Sequence, residues 1–573
     1  MNLNIKSEKE NTYDAIVVGS GISGGWAAKE LTEKGLKVLM LERGKNVEHV
    51  TGYETSMKHP WEFQHRGRLT AEQKESHLVQ NRENGYPYTE HTANFWINDT
   101  DNPYIEIKRF DWYRGYQVGG KSLTWGRQCY RWSDIDFEAN AKEGIGVDWP
   151  IRYKDIAPWY DYVEKFIGVS GSKDGLPQLP DGQFLPPMEL NCVEKEVAAR
   201  LKKHYNGKRL LTIGRAANLS QAQKVHLDLG RASCQYRNLC MRGCPFGAYF
   251  STQSSTLPAA MKTGRLTLRP FSVVHSVIYD EGTGKAKGVR VVDANTKEMT
   301  EFYSRILFLN ASTLGSTLIM LNSVSSRFPN GLGNDSGTLG HFLMDHHSRL
   351  GASGMMEGFD NQYYYGNRAN GIYLPRYRNL GNEKRDYLRG FGFQGGASRG
   401  NWQRGVAEMG FGAGFKEEIT KPGIWRMGLS GYAEMLPYFE NYVFLDKNKK
   451  DAWGMPLLTI DCEFKENELK MRKEITADAV EMLEIAGVKN VKAHDYTGYP
   501  GQAKHEMGTA RMGKDAKTSV LNAWNQVHAV KNVFVTDGAC MTSASCVNPS
   551  LTYMALTARA CDYAVKQMKR KEL

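Results

Sequence analysis

Ile16-Val17-Val18-Gly19-Ser20-Gly21-Ile22-Ser23-Gly24-Gly25 runs straight from an apolar strand into a glycine turn, and Leu39-Met40-Leu41-Glu42 closes a second strand downstream. Strand, turn, helix, strand and terminal acid in this order form the signature of a dinucleotide-binding βαβ unit. Gly19 permits the tight turn, Gly21 lets the backbone approach a pyrophosphate, and Gly24 lets the following helix pack closely on the strand. Glu42 is placed to accept a ribose hydroxyl. A G-x-G-x-x-G arises by chance in many glycine-rich loops; the ordered elements around it make this an α/β fold that binds an adenine dinucleotide.

The chain is 573 residues long, beyond the roughly 250–300 at which one hydrophobic core stops growing, so two domains or one with large insertions are expected. Hydrophobic residues make up 41% and charged residues 24%, which excludes disordered and collagen-like classes. The formal net charge is +11, but Lys and Arg are scattered. The one dense basic run, Lys566 to Lys571, reads as a solvated tail, so no nucleic-acid partner is expected. Met1 to Tyr13 is polar and charged, without the apolar core of an export signal. No stretch approaches about 18 uninterrupted apolar residues, so no transmembrane segment of its own is expected.

Outward from the first unit, Val47 to Asp111 is polar and aromatic-rich without a sustained period, and 51–110 reads as a surface excursion, a lid or an interface. Glycines return at Val118-Gly119-Gly120-Lys121-Ser122, and a helix pattern follows at Tyr153 to Phe166. Strands are expected near Leu266 to Tyr279 and Gly288 to Val292. Ile306-Leu307-Phe308-Leu309-Asn310-Ala311 reads as a buried strand feeding a helix that Ser312 caps. From about 341 to 499 longer alternating segments such as Tyr432 to Leu445 suit an antiparallel sheet, assigned to the substrate. Val533-Phe534-Val535-Thr536-Asp537-Gly538 is a third strand-to-turn unit. The cofactor domain is therefore discontinuous, built from 1–50, 111–340 and 500–573.

His505-Glu506-Met507-Gly508-Thr509-Ala510-Arg511-Met512-Gly513, then Asp537-Gly538, then Asn548-Pro549-Ser550-Leu551-Thr552, form the second strong signal. Their order and spacing resemble the glucose-methanol-choline (GMC) oxidoreductases, a family of FAD enzymes. The resemblance covers both ends of the chain and leaves its middle weakly constrained. It implies a Rossmann-like FAD domain beside an antiparallel-sheet substrate domain, with His505 facing the flavin N5 locus and Asn548 beside it. An alcohol carbon gives up hydride only as its hydroxyl proton leaves, so a base near neutrality must lie within hydrogen-bond reach, and His505 is the candidate. Asn548 orients the hydroxyl and stabilises developing alkoxide charge. The same resemblance brings Gly119, Gly120 and Ser122 to the flavin, Val274 to the adenine, Ala311 to the ADP portion, and Asp537 and Gly538 to the pyrophosphate and ribityl region. Pyranose-oxidising relatives can hold FAD through a histidine in the glycine segment. Thr124 stands there in this chain, so FAD is expected to be non-covalent. His346 and His347, after Met344-Asp345, read as domain-junction structure.

Of nine cysteines, three cluster at Cys234, Cys240 and Cys244. A disulfide leaves one thiol over, and C-x5-C-x3-C is not structural-zinc spacing. An iron-sulfur cluster fits better, and three ligands suit a three-iron (3Fe-4S) form, with a structural loop of free or bridged cysteines as the alternative. Cys244-Pro245-Phe246-Gly247-Ala248 also resembles a stretch in the flavoprotein subunits of bacterial membrane-associated sugar dehydrogenases. There a cluster relays electrons to a cytochrome, and a small partner subunit carries the export signal; this chain has Gln235 where the relatives have a second cysteine. The resemblance implies a cytochrome c-type acceptor, a small partner subunit and a periplasmic site, with a cytoplasmic site as the alternative. Trp402, Trp425 and Trp453 are candidates for stacking on a sugar ring, although each reads first as core. Glu434 and Asn441 serve either substrate or structure. The expected activity is oxidation of a sugar hydroxyl, at C3 of a glucoside or hexopyranose to the 3-keto sugar. An oxygen-using oxidase and a catalytically silent flavin-binding scaffold are the competing readings.

Overall fold

A computed structural model describes residues 11–82, 88–363, 371–400, 410–496 and 498–573. The opening unit folds as its sequence requires: β1 (Thr12–Val18), α1 (Ile22–Glu33) and β2 (Val38–Leu41), with Ala15 opposite Val38 and Val18 opposite Leu41 in a parallel pair. Gly19 turns the chain at φ +92°, and a Cβ there would lie 2.3 Å from the Asn310 carbonyl oxygen. A Cβ on Gly24 would lie 1.9 Å from the Gly19 carbonyl oxygen. Only glycine lets α1 start this close to the strand.

The sheet grows on both sides of this unit. β3 (Leu266–Arg269) pairs in parallel outside β2, and β4 (Ser272–Asp280), β5 (Lys285–Asp293) and β6 (Met299–Leu309) form an antiparallel run that returns beside β1. β6 changes partner along its length, pairing antiparallel with β5 over Met299–Tyr303 and parallel with a C-terminal strand over Leu307–Leu309. Its apolar second half is buried accordingly. α2 (Thr313–Asn322) follows where a helix was expected, but Ser312 makes no capping hydrogen bond. Ser316 Oγ accepts the Ala311 N–H instead, at 2.9 Å.

A second sheet carries β7 (Leu350–Met356), β8 (Ile372–Leu374), β9 (Phe391–Arg399) and β10 (Trp425–Ala433); α3 (Glu466–Ile485) covers one face and β11 (Lys489–Asp495) closes an edge. Its order is β11–β7–β10–β9–β8, all antiparallel, with the short strand Thr212–Ile213 beyond β8. The expected alternating run from Tyr432 to Leu445 is two pieces, because β10 ends at Ala433 and the next strand starts at Tyr442. Trp425, Met427, Leu429 and Ala433 on β10 share one core with Met471, Ile475, Ala479, Met482 and Leu483 on α3. Strand period 2 then turns Ser430 and Tyr432 to the opposite face. β12 (Val533–Val535) and α4 (Ser550–Lys569) complete the chain, and α4 packs against α1. No helix among the described residues is long and apolar enough to cross a membrane. The observed α/β architecture with a separate antiparallel sheet is the fold expected from the sequence.

Candidate active site

The two sheets enclose a cavity of about 850 Å³ whose walls include Gly19, Gly21, Glu42, Gly120, Ser122, Val274, Ala311, Asp537, Gly538, His505 and Asn548. Two other residues named from the sequence lie behind that wall. Gly24 packs α1 on the turn, and Gly119 adopts a left-handed φ of +89° against Gln253. Ser20, the middle residue of the first glycine triplet, ties these parts together. Its N–H and hydroxyl both bond Glu42 Oε2, and its oxygen accepts the Gly119 N–H at 2.9 Å. Burial pushes the Glu42 carboxyl up against these bonds. Asp537 accepts from Ser316 Oγ and the Ala539 N–H, and burial raises its pKa to about 6.

Several buried polar atoms of residues lining this cavity have no partner within the protein: Asn310 Nδ2, Trp125 Nε1, Gln502 Oε1 and Tyr553 Oη. Buried polar groups ordinarily have partners. Glycine walls that admit close backbone approach, a buried acid after the second strand, and unmatched donors and acceptors together fit a bound dinucleotide.

His505 and Asn548 meet in the same cavity. Asn548 Nδ2 lies 3.4 Å from His505 Nε2, and Gln394 Nε2 donates to Asn548 Oδ1 at 2.6 Å. On the other side of the ring, His505 Nδ1 lies 2.9 Å from His346 Nδ1, and His346 Nε2 lies 3.2 Å from the Ala544 carbonyl oxygen. His346 therefore departs from the expected junction role and touches the candidate base. His347 keeps that role, with its Nε2 3.3 Å from the Glu434 carbonyl oxygen. Asp345 holds the loop that presents His505: its carboxylate accepts N–H groups from Gly501 at 2.7 Å, Ala503 at 3.1 Å and His505 at 3.0 Å. Burial, with Glu506 nearby, raises Asp345 to about 7. Burial pushes His505 well below the usual histidine value, helped by His346, Lys121 and Lys504. Lys121 pairs with Glu506 at 2.9 Å.

The substrate-side wall comes from the outer sheet. Ser430 and Tyr432 reach the cavity from β10, and Gln394 sits opposite Ser430 on β9. The sequence reading missed Gln394 and Ser20, because one polar residue in a strand or a serine between glycines carries no visible pattern. For His346 the signal was a histidine directly after a buried acid. Two of the three tryptophans take the core reading over sugar stacking. Trp425 is core and its indole donates to the Phe359 carbonyl; Trp453 packs on Arg43 and donates to the Ala294 carbonyl; Trp402 lies outside the described residues. Glu434 is buried beside Arg389, and Asn441 binds the Glu463 backbone, so both serve structure.

The three clustered cysteines surround a space of about 30 Å³, room for about one or two water molecules. Cys234 and Cys244 pack as apolar groups against Leu185, Leu219 and Ala248. Among the described residues no three His, Cys, Asp or Glu side chains form a metal-holding group. The expected three-iron cluster thus does not fit this arrangement, since two thiols are spent on packing. Cys240, on the turn Cys240–Arg242, lines both this small space and the large cavity. Burial raises its thiol to about 12.

The fold and the cavity define a dinucleotide-dependent oxidoreductase with a histidine beside the cofactor space. The N-terminal family model for GMC oxidoreductases matches residues 13–348 and the C-terminal model matches 437–557, and the chain belongs to this family. Its members bind FAD. The chain is 27% identical to 2-methyl-1,2-propanediol dehydrogenase of Mycolicibacterium austroafricanum, over 96% of this chain and 94% of that one. It is 24% identical to the fructose dehydrogenase large subunit of Gluconobacter japonicus, over 98% and 100% of the two chains. A solved formate oxidase of Aspergillus oryzae shares the fold with a TM-score of 0.61 at 15% identity, covering 98% of this chain and 99% of that one.

Proposed function

We propose that this enzyme is an FAD-dependent dehydrogenase of a sugar or glycoside hydroxyl, with C3 of a hexopyranoside as the specific position. The observation that carries the reading is His505 beside Asn548 in the dinucleotide cavity, under a wall of hydroxyl and amide groups from Gln394, Ser430 and Tyr432. FAD, when bound, supplies the hydride acceptor. Gly19, Gly21, Glu42, Val274, Ala311, Asp537 and Gly538 would hold its nucleotide portion, and Gly120 and Ser122 its flavin. With Thr124 in the cavity wall, no histidine is offered at that position for a covalent link. His505 takes the hydroxyl proton at Nε2, Asn548 holds the same oxygen through its amide, and the polar wall orients the remaining hydroxyls.

The second part concerns the electrons. Full-length similarity to a large subunit of a fructose dehydrogenase supports a partner subunit, and the resemblance of the cysteine segment to flavoprotein subunits assigns the electrons to a cytochrome c-type acceptor in place of oxygen.

Anaerobic mixing with glucose and methyl glucoside tests the first part. Bleaching of the flavin with a 3-keto product by NMR is expected; a flavin that stays oxidised with both, yet bleaches with 2-methyl-1,2-propanediol, would move the substrate class to small diols. Peroxide formed in step with turnover would replace the acceptor assignment by an oxidase.

A further inference from the structure

We infer that His346 is a positioning residue that fixes the tautomer of His505, so that the base presents an unprotonated Nε2 to the substrate hydroxyl. The inference deepens, and rests on, the reading of His505 as base. One chain of hydrogen bonds runs through both rings, from the Ala544 carbonyl to Asn548. At the far end the Ala544 carbonyl can only accept, so His346 Nε2, 3.2 Å away, carries a proton. His346 is fully buried and its burial holds it neutral, with a pKa lowered to about 4, so its Nδ1 is a lone pair. His505 Nδ1, 2.9 Å from that lone pair, must then donate. A neutral His505 with its proton on Nδ1 has a free acceptor at Nε2.

The near end completes the same chain. With His505 protonated at Nδ1 its Nε2 accepts, so the Asn548 amide turns Nδ2 toward it at 3.4 Å and its Oδ1 accepts from Gln394 Nε2 at 2.6 Å. From Gln394 through Asn548, His505 and His346 to the Ala544 carbonyl, every donor points the same way. The opposite tautomer of His505 would leave two lone pairs facing at His346, in buried surroundings where an unmade hydrogen bond costs most. The Asn548 contact is long for a hydrogen bond, and the lone pair it meets is the one that would receive the substrate proton.

The groups that face His505 are Asp345 and His346 from the segment before β7, Lys121 from the 3-10 turn, Tyr432 from β10, Asn548, and Lys504 and Glu506 on its own loop. The lysines and His346 all disfavour the imidazolium, so neutral His505 prevails well into acid. Removing the His346 ring takes away one of those influences and frees the tautomer together.

The test uses the FAD-loaded enzyme and the rate of anaerobic flavin reduction as a function of pH, with methyl glucoside, or 2-methyl-1,2-propanediol should the sugar leave the flavin oxidised. His346→Leu is expected to slow reduction on the order of 100-fold with FAD retained. His346→Asn, whose Oδ1 can accept the same Nδ1 proton, is expected to recover to within about tenfold of the native rate, with the acid limb of its profile moved upward. His505→Ala serves as the control. Near-native reduction in that control would remove the base itself, whatever His346 does. The inference is overturned by a leucine variant as fast as the native enzyme, by an asparagine variant as slow as the leucine one, or by an asparagine profile that superimposes on the native profile. Should the leucine variant lose FAD, the asparagine profile decides alone.

Discussion

A histidine works as a base at neutral pH only while its ring is uncharged and its lone pair points at the proton to be taken. Burial meets the first need at His505, pushing its pKa well below 6.5, and the loop clamped by Asp345 meets the second. Replacing His505 with Ala should lower flavin reduction on the order of 100-fold or more, with FAD still bound, because the Gly19–Glu42 portion of the site is untouched. Stopped-flow reduction and the flavin content of the purified variant check this, and unchanged reduction would take the proton acceptor elsewhere. The depressed pKa sets the pH dependence. Activity needs the deprotonated ring, so it is lost only as pH falls through the lowered value. The acid limb of reduction should therefore lie below the ordinary histidine range near 6.5. A limb at or above that value would mean that the bound cofactor or substrate restores the charge that burial opposes.

At the level of elements, the first βαβ unit was legible in full, because its strand, glycine turn and acid are contiguous and each glycine answers a local contact. Gly24→Ala puts that to the test. Its Cβ would sit 1.9 Å from the Gly19 carbonyl, so α1 must move away from the turn that approaches the cofactor. The variant should purify with little flavin and a lower melting temperature, whereas a native flavin load would show that the turn can yield. His505 and Asn548 were legible from motif order alone. Gln394 was not, since its place beside Asn548 is created by β9 pairing with β10 and cannot be read along either strand. The cysteine run misled for a related reason: spacing fixes how many thiols a loop carries, but turn geometry decides where they point. With no cluster held there, Cys240→Ser should leave flavin reduction and transfer to an external acceptor both within about twofold of native, less than about 0.5 kcal/mol in barrier terms. Transfer slowed tenfold or more with reduction unchanged would return an electron relay to this loop.

Over the whole molecule, burial places an unusual set of ionisable groups in low-dielectric surroundings, and their titrations oppose one another. His346 and His226 are each lowered to about 4, and His347 and His505 are lowered well below 6.5, in every case mainly by burial. Below pH 6.5 the unfolded chain binds protons that these folded rings refuse, so each makes the fold less stable as pH falls toward its lowered value. Asp345 is raised to about 7, and Asp537 and Glu434 to about 6, again mainly by burial. These folded carboxyls hold protons that the unfolded chain has released, so in the window between about pH 4 and 7 their contribution grows as pH falls. Burial also depresses His49, His77, His91, His275, His494 and His528 and raises Glu42, Asp174 and Glu468, so among the described residues ten lowered histidines outnumber six raised carboxyls and the unfolded chain binds more protons in mild acid. The melting temperature should therefore decline from pH 6.5 to about pH 4.5, and fall further below about pH 4, where carboxyls held low by ion pairs, such as Asp148 beside Arg152, also protonate. Differential scanning calorimetry across this range distinguishes the two contributions. A melting temperature that holds level over that range would show that the buried histidines take up protons inside the fold, and with them that His505 is not kept neutral into acid as its role as base requires.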